Sequence, residues 1–311
     1  MAIKVDYCQP YLSPGPVTAE ARMENASVIE QALETAVASC DVLGCPPRLA
    51  AAIRYAVFPG GARVRPNLCL AVAAGCGDPY SPLAEATAAS IELLHCASLV
   101  HDDLPCFDDA EMRRNRPSVH KAFDERIALL VGDALIVLAF QNVARAFADA
   151  PAALPGIVLA LTRAVGAPVG IVAGQAWECE TSAPLEEYRR LKTGALFIAA
   201  TVGGALSVGG DPTPWRVLGD RLGESYQIAD DVRDALATEL ELGKPAGRDA
   251  ALGRPTALGE FGLLGAVQRF ESLIAEAIES VPACAGADRL RELLRQEARR
   301  LLPESLLQRA A

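Results

Sequence analysis

"SPLAEATAASIELLHCASLVHDDLPCFDDAEMRR", residues Ser81 to Arg114, holds a capped start, a long apolar run and then a burst of charge. Ser81 offers an N-cap oxygen and Pro82 suits a first helical position, so the spacing predicts a helix over 82–103. Along it His95, Ser98 and Asp102 recur at intervals of three and four and share one face. Pro105 lacks an N–H and its ring crowds the carbonyl of His101, so the chain has to bend before Asp108. Five acidic side chains fall between Asp102 and Glu111, and Arg113 and Arg114 follow at once.

The same texture extends in both directions. Alanine and leucine dominate, charges recur at helical spacing, and no series of alternating runs is separated by hairpin turns. The fold class is therefore all-α, a helical bundle, with helices predicted over 17–40, 47–57, 64–75, 82–103, 119–148, 154–182, 185–209, 214–237, 255–280 and 286–302. Glycine and proline clusters, "FPGGARVRP", "GCGDPYSP", "ADAPAALP" and "GGDPTP", mark the breaks. No fixed-period repeat and no long polar linker divides the chain, so one helical domain is expected over 1–311. Thr193 to Gly210 is the longest uncharged stretch and approaches the length of a minimal membrane span. Its five glycines and several hydroxyls favour a buried core helix, and no membrane span is expected.

At 311 residues and 51% hydrophobic content the chain is large enough for a sizeable core. A formal charge of −10 and a pI near 4.9 disfavour nucleic acid or an anionic membrane as the main partner, because both would be repelled. The nine cysteines show neither a C-x-x-C pair nor zinc spacing, and a core this large needs no disulfide staples. Reduced, mostly buried thiols are expected. The opening "MAIKVDYCQPYLSPGP" lacks a basic start followed by an apolar run, so a cytoplasmic location is expected.

A second acidic cluster lies in "YQIADDVRD", where Asp230, Asp231 and Asp234 fall on one side of a helix, the first and third within about 40° of each other. Asp102, Asp103 and Asp108 are placed to face them across a bundle core. Burying so many carboxylates without compensation is costly, and hard divalent cations with oxygen ligands are the natural remedy. Mg²⁺ takes few protein carboxylates and completes its shell from substrate phosphates, which points to a diphosphate or triphosphate ligand. Arg63, Arg65, Arg113, Arg114, Lys192 and Lys244 stand in or beside stretches dense in glycine, threonine or acid. Adjacent arginines whose side chains diverge suit two phosphate groups.

With "FPGGARVRP", "LLHCASLVHDDLPCFDDAEMRR", "PSVHKAF", "VGDALI", "AGQAWE", "KTGALF", "GESYQIADDVRDAL" and "LGKPAGRD" in this order, the chain resembles the trans-isoprenyl diphosphate synthases, most like the bacterial geranylgeranyl diphosphate synthases. The resemblance spans nearly the whole chain. It implies a homodimer of isoprenoid-synthase bundles, each with a central apolar cavity. It also implies about three Mg²⁺ ions held by Asp102, Asp103, Asp108, Asp230, Asp231 and Asp234 around an allylic diphosphate, whether dimethylallyl, geranyl or farnesyl. Arg113, Lys192 and Lys244 match the family's allylic-diphosphate contacts. Arg65, His95 and Arg114 match positions that bind isopentenyl diphosphate, and Thr193 and Gln227 match polar groups beside the nascent carbocation. By the same resemblance, Ala97 and Ser98, the fifth and fourth residues before Asp102, set product length. An aromatic at the fifth position stops the tail at fifteen carbons, so Ala97 implies a C20 product, geranylgeranyl diphosphate.

Four positions depart from the family pattern. Ala62 replaces a lysine after the paired glycines, and Arg63 is the candidate to reach in its place. Ala110 replaces an acid, Asn115 a glycine, and Glu178 an aspartate after "GQ". Farnesyl diphosphate or a longer product is the alternative within the activity. A non-catalytic partner subunit of a related synthase, for which Ala62 argues, is the alternative outside it. A terpene cyclase fits less well, since it has no use for the arginine pair.

Overall fold

The computed structural model of the chain describes residues 19–58, 61–78, 81–146, 151–181, 184, 187–188, 190–236 and 256–303, with side chains from residue 26 onward. Within these the chain runs through helices α1 (Ala19–Val37), α2 (Pro47–Val57), α3 (Val64–Cys76) and α4 (Pro82–Asp102). A two-residue hairpin follows, β1 (Met112–Arg113) against β2 (Arg116–Pro117), and then α5 (Val119–Ala122), α6 (Glu125–Arg145), α7 (Leu154–Val165) and α8 (Ile171–Ala176). A π-turn at Arg190–Gly194 leads into α9 (Ala195–Ser207), followed by α10 (Trp215–Leu236), α11 (Ala257–Glu279) and α12 (Ala287–Leu301).

The all-α expectation holds, and α4 is its axis. Ser81 Oγ accepts the amide of Ala84 at 3.3 Å and Pro82 stands at the first turn, as the sequence predicts. The helix packs on α6, α3 and α9, burying Ala88, Ala89, Ile91, Leu93 and Leu94. Burying each large aliphatic side chain of this kind contributes about 1.5–3 kcal/mol before the cost of ordering it. The uncharged Thr193–Gly210 stretch forms α9, almost wholly buried, as expected of a core helix. By length and composition alone α4 and α6 could each cross a membrane; α4 is mostly buried in the bundle, whereas α6 leaves Leu129, Leu130 and Val137 exposed.

Three predicted helices are divided. The helix expected over 119–148 breaks at Phe123, and Asp124 restarts it by accepting the amide of Ile127 at 2.8 Å. The one expected over 154–182 ends at Val165, because Gly166 leaves the helical region and Pro168 cannot donate to the ladder. The one expected over 255–280 carries a kink at Gly262, whose φ is +65°. The short hairpin was not anticipated. Its two turn residues, Arg114 and Asn115, both have positive φ (53° and 60°), as two-residue hairpin turns of the primed kind require. Asn115 suits this turn, since asparagine tolerates the left-handed region.

Candidate active site

Bending begins one residue after α4. Asp108 donates its amide to the carbonyl of Asp102 at 3.0 Å, and Ala110 does the same to Asp103 at 3.2 Å, so the segment carrying Pro105 folds back on the helix end. That fold brings Asp108 beside Asp102 despite the five residues between them. Both line a cleft of about 370 Å³, along with His95, Ser98 and Leu99 from α4 and Asp230 from α10. One carboxylate oxygen from each of Asp102, Asp108 and Glu178 lies within 4.8 Å of the others. Glu178 stands in the 3₁₀ turn after α8, and Tyr188 donates to it at 2.6 Å and Gln175 at 3.1 Å.

Lys192, presented by the π-turn, closes this group. Its Nζ donates to Glu178 at 2.5 Å and to Asp102 at 3.3 Å. Burial pushes the Asp102 carboxyl above its ordinary range and the ammonium of Lys192 pulls only partly back. Such a cluster of hard oxygen donors, short of positive charge, fits a hard divalent cation, whose ligands would be Asp102, Asp108 and Glu178; Asp230 lines the same cleft outside this group.

Another part of the lining is cationic. Arg65 and Arg114 line it with His95. Burial, followed by the fields of Arg65, Arg114, Arg113 and Arg63, holds the His95 imidazolium far below the ordinary histidine range, so the ring is neutral. Arg65 Nη1 donates to its Nε2 at 3.3 Å, which leaves the ring proton on Nδ1. Arg65 also lies over the Phe197 ring, 4.6 Å from its centroid, so its plane is fixed before any anion arrives. Thr193 Oγ1 donates to Gln227 Oε1 at 2.6 Å, and both residues line the same cleft.

Several predicted site residues stand elsewhere. Asp103 is 2% exposed and is gripped by Arg113 through Nε (3.1 and 3.2 Å) and Nη2 (2.5 Å), so it orients that arginine and does not line the cleft. Burial raises its carboxyl, the Arg113 bonds opposing. Arg63 touches the cleft edge, yet its guanidinium is taken: Glu30 at 2.7 and 3.3 Å, Glu92 at 2.7 Å and the Val57 carbonyl at 2.9 Å. It is therefore a structural ion-pair centre and does not replace the lysine missing at Ala62. Asp231 turns its carboxylate to Gln227 and to the amide of Ala257, away from the cleft. Asp234 is not among the lining residues either. The carboxylates of the second cluster therefore do not all present to one side, because Asp231 sits about 100° round the helix from Asp230. Ala97 is 1% exposed within the core, whereas Ser98 lines the cleft and donates to the carbonyl of His95. Lys244 lies outside the described residues.

Sequence reasoning passed over Glu92 and Tyr188. Glu92 is 2% exposed, lines the cleft, and takes Arg63 at 2.7 Å and Arg114 at 3.8 Å on the same oxygen. A lone acid in an apolar helix, three residues before His95 and so on its face, was the available signal.

The polyprenyl synthetase family model matches residues 46–292. The geranylgeranyl diphosphate synthase of Cereibacter sphaeroides is 50% identical over 281 residues, 90% of this chain and 98% of that one. The synthase of the same name from Rhodobacter capsulatus is 46% identical, covering 88% and 95%. Among solved structures, an FPP/GFPP synthase from Zymomonas mobilis superimposes with a TM-score of 0.77 at 30% identity, covering 90% of this chain and 99% of that one. A Helicobacter pylori geranyltransferase complexed with magnesium and isoprenyl diphosphate gives 0.74 at 28%, covering 88% and 97%. Acidic cluster, cationic wall and bundle thus occur in a chain that belongs to the polyprenyl synthetase family.

Proposed function

We propose that this protein is a Mg²⁺-dependent prenyltransferase that joins isopentenyl diphosphate head-to-tail to an allylic diphosphate and releases geranylgeranyl diphosphate. One observation carries the reading: Asp102, Asp108 and Asp230 share a cleft with Arg65, Arg113, Arg114 and Lys192, and Glu178 brings a carboxylate oxygen within 4.8 Å of Asp102 and Asp108. Carboxylates that need cations and cations that need phosphate make sense together when a metal-bound diphosphate lies between them. The two geranylgeranyl diphosphate synthases named above support the C20 product.

Arg113, steered by Asp103, and Lys192 hold the allylic diphosphate. Arg65 and Arg114 hold the second diphosphate, with neutral His95 keeping Arg65 in place. Bound Mg²⁺ would supply charge neutralisation for the departing diphosphate. The C1–O bond of the allylic substrate breaks, the double bond of isopentenyl diphosphate supplies the electron pair for the new C–C bond, and a proton leaves to the released diphosphate. The oxygens of Thr193 and Gln227 turn negative dipole ends toward the allylic carbon, and Leu99, Ile171 and Leu196 keep water from it. The test is incubation with Mg²⁺, labelled isopentenyl diphosphate and each allylic primer, followed by sizing of the extracted chains. A C20 product is expected; a C15 or longer product replaces the chain-length reading, and absence of extension favours the partner-subunit reading that Ala62 supports.

Ala97→Tyr is the complementary prediction. Position 97 lies five residues before Asp102, about 7.5 Å along the α4 axis, buried beside cleft-lining Ser98, and by the family resemblance a phenol there shortens the space available to the growing tail. The product is expected to shift from C20 to C15, with stability falling by about 1–3 kcal/mol from overpacking. Unchanged C20 output from a folded variant contradicts the placement.

A homodimer accompanies this reading. Leu130 and Val137, seven residues apart on α6, share an exposed face with Leu129, and two such faces meeting across a two-fold axis would cover them. The double substitution Leu130→Glu with Val137→Glu is expected to halve the sedimenting mass, and an unchanged mass counts against this interface. A cytoplasmic location is likewise proposed. The eight described cysteines are free, which suits a reducing compartment; only Cys69 and Cys96 are buried, their thiols pushed up to about 12 and about 11, whereas Cys106 and Cys179 are exposed, so the thiols are not mostly buried as expected.

A further inference from the structure

Asp231 is 5% exposed and takes no part in lining the cleft, although Asp230 beside it does. Its Oδ1 accepts Gln227 Nε2 at 2.9 Å and its Oδ2 accepts the amide of Ala257 at 2.7 Å. The second bond satisfies a donor at the first turn of α11, where Thr256 caps the amide of Gly259. The first has a consequence for chemistry. A carboxylate oxygen can only accept, so the Gln227 atom facing it must be the amide nitrogen, which turns the amide oxygen to Thr193. Thr193 then has to donate, at 2.6 Å, and its oxygen lone pairs are left for the cleft. A single carboxylate thus sets the polarity of two side chains it connects only in series.

We infer that Asp231 is a positioning residue that orients the Gln227–Thr193 dipoles toward the reacting allylic group, and not a ligand of the metal. This rests on the prenyltransferase reading given above. The local polarity runs in one direction: an amide at 231 would present its oxygen to Ala257 and its NH₂ to Gln227. Gln227 would then flip, Thr193 would become an acceptor, and its hydroxyl hydrogen would point at the group that develops positive charge.

Asp231→Asn is therefore the decisive variant, since it keeps the α11 contact while reversing the relay. Its kcat is expected to fall by about tenfold to a hundredfold, the range for one misoriented hydrogen-bonding group, with KM for both substrates within about threefold. Adding Gln227→Glu to it restores the original direction at Thr193, because the new carboxylate at 227 accepts both from the new amide at 231 and from the hydroxyl of Thr193. The double variant is expected to regain about tenfold over Asp231→Asn. Calorimetric titration of Mg²⁺ into protein saturated with inorganic diphosphate separates the roles without turnover. Asp231→Asn should bind within about twofold of the parent, whereas Asp230→Asn should bind at least about tenfold more weakly, as loss of a ligand does. A tenfold weakening by Asp231→Asn, or a double variant slower than the single one, overturns the inference. Absence of chain extension by the unsubstituted protein instead overturns the prenyltransferase reading, while the calorimetric comparison still decides whether Asp231 is a ligand.

Discussion

Asparagine at position 102 is expected to lower kcat by about three orders of magnitude and to raise the Mg²⁺ concentration needed for half activity, with no loss of stability in metal-free buffer. Asp102 is the one carboxylate of the first motif that both faces the acidic cluster and meets Lys192. Its carboxyl titrates above the ordinary range because burial outweighs the pull of Lys192. The sign follows from linkage. A carboxyl whose folded value is raised binds its proton more tightly in the folded chain, so stability is lost as pH rises through that range, and at neutral pH the ionised group costs stability. A neutral isostere removes this cost while removing a metal ligand, so activity and thermal stability should move in opposite directions. A purely structural Asp102 would move them together. Asp109→Asn is the control: its side chain is 53% exposed and lies 3.4 Å from Lys121 and 3.5 Å from His120, contacts that an amide oxygen can keep, and an exposed pair such as that with Lys121 is worth little. Its kcat should stay within about twofold. Steady-state kinetics against Mg²⁺ concentration and melting in chelator check both variants.

What the sequence disclosed, and what it withheld, divides along physical lines. Local rules reached the helices. Ser81 with Pro82 marked the start of α4, and His95, Ser98 and Asp102 met on one face because helical period alone decides it. Punctuation inside apolar text was harder to weigh. Pro168 and Asp124 both broke predicted helices, although each had a recognised chemistry as breaker or cap. Partner choice was not legible at all. Arg63 and Arg65 are two residues apart with identical chemistry, yet one is consumed by Glu30 and Glu92 while the other lies over Phe197 facing the cleft. The difference comes from residues distant in sequence, which no spacing rule encodes. Asp231 shows the same limit. Its neighbour in sequence faces the cleft, but a rotation of about 100° carries Asp231 round to the start of α11. Glu178 registered in the sequence only as a departure from family habit. The structure brings its carboxylate within 4.8 Å of Asp102 and Asp108, where the extra methylene has a use.

Gly223→Ala is expected to cost both stability and rate, because the contact that it disturbs holds the two halves of the site together. A Cβ at 223 would stand 2.4 Å from the Cα of Gly194 and 3.3 Å from its nitrogen. These are backbone atoms, so no side chain can swing aside, and α10 has to retreat by roughly 1 Å from the π-turn. Gly194 adjoins Thr193 and Lys192, while Gln227 and Asp230 lie one and two turns beyond Gly223. Retreat therefore stretches the 2.6 Å bond between Thr193 and Gln227 and withdraws Asp230 from the Asp102 side of the cleft. Displacement of about 1 Å at reacting groups costs on the order of a hundredfold in rate, and overpacking costs about 1–3 kcal/mol. Intrinsic helix propensity pushes the other way, since alanine is favoured over glycine by about 1 kcal/mol in a helix interior. Gly259→Ala isolates that opposing effect: its Cβ would meet only Thr256 Oγ1 at 3.5 Å, an ordinary contact, so the melting temperature should hold or rise and kcat should not change. Crystallography of Gly223→Ala with a diphosphate bound would show the withdrawal directly, and a variant with parental kcat and melting temperature would show that the helix crossing does not hold the site in register.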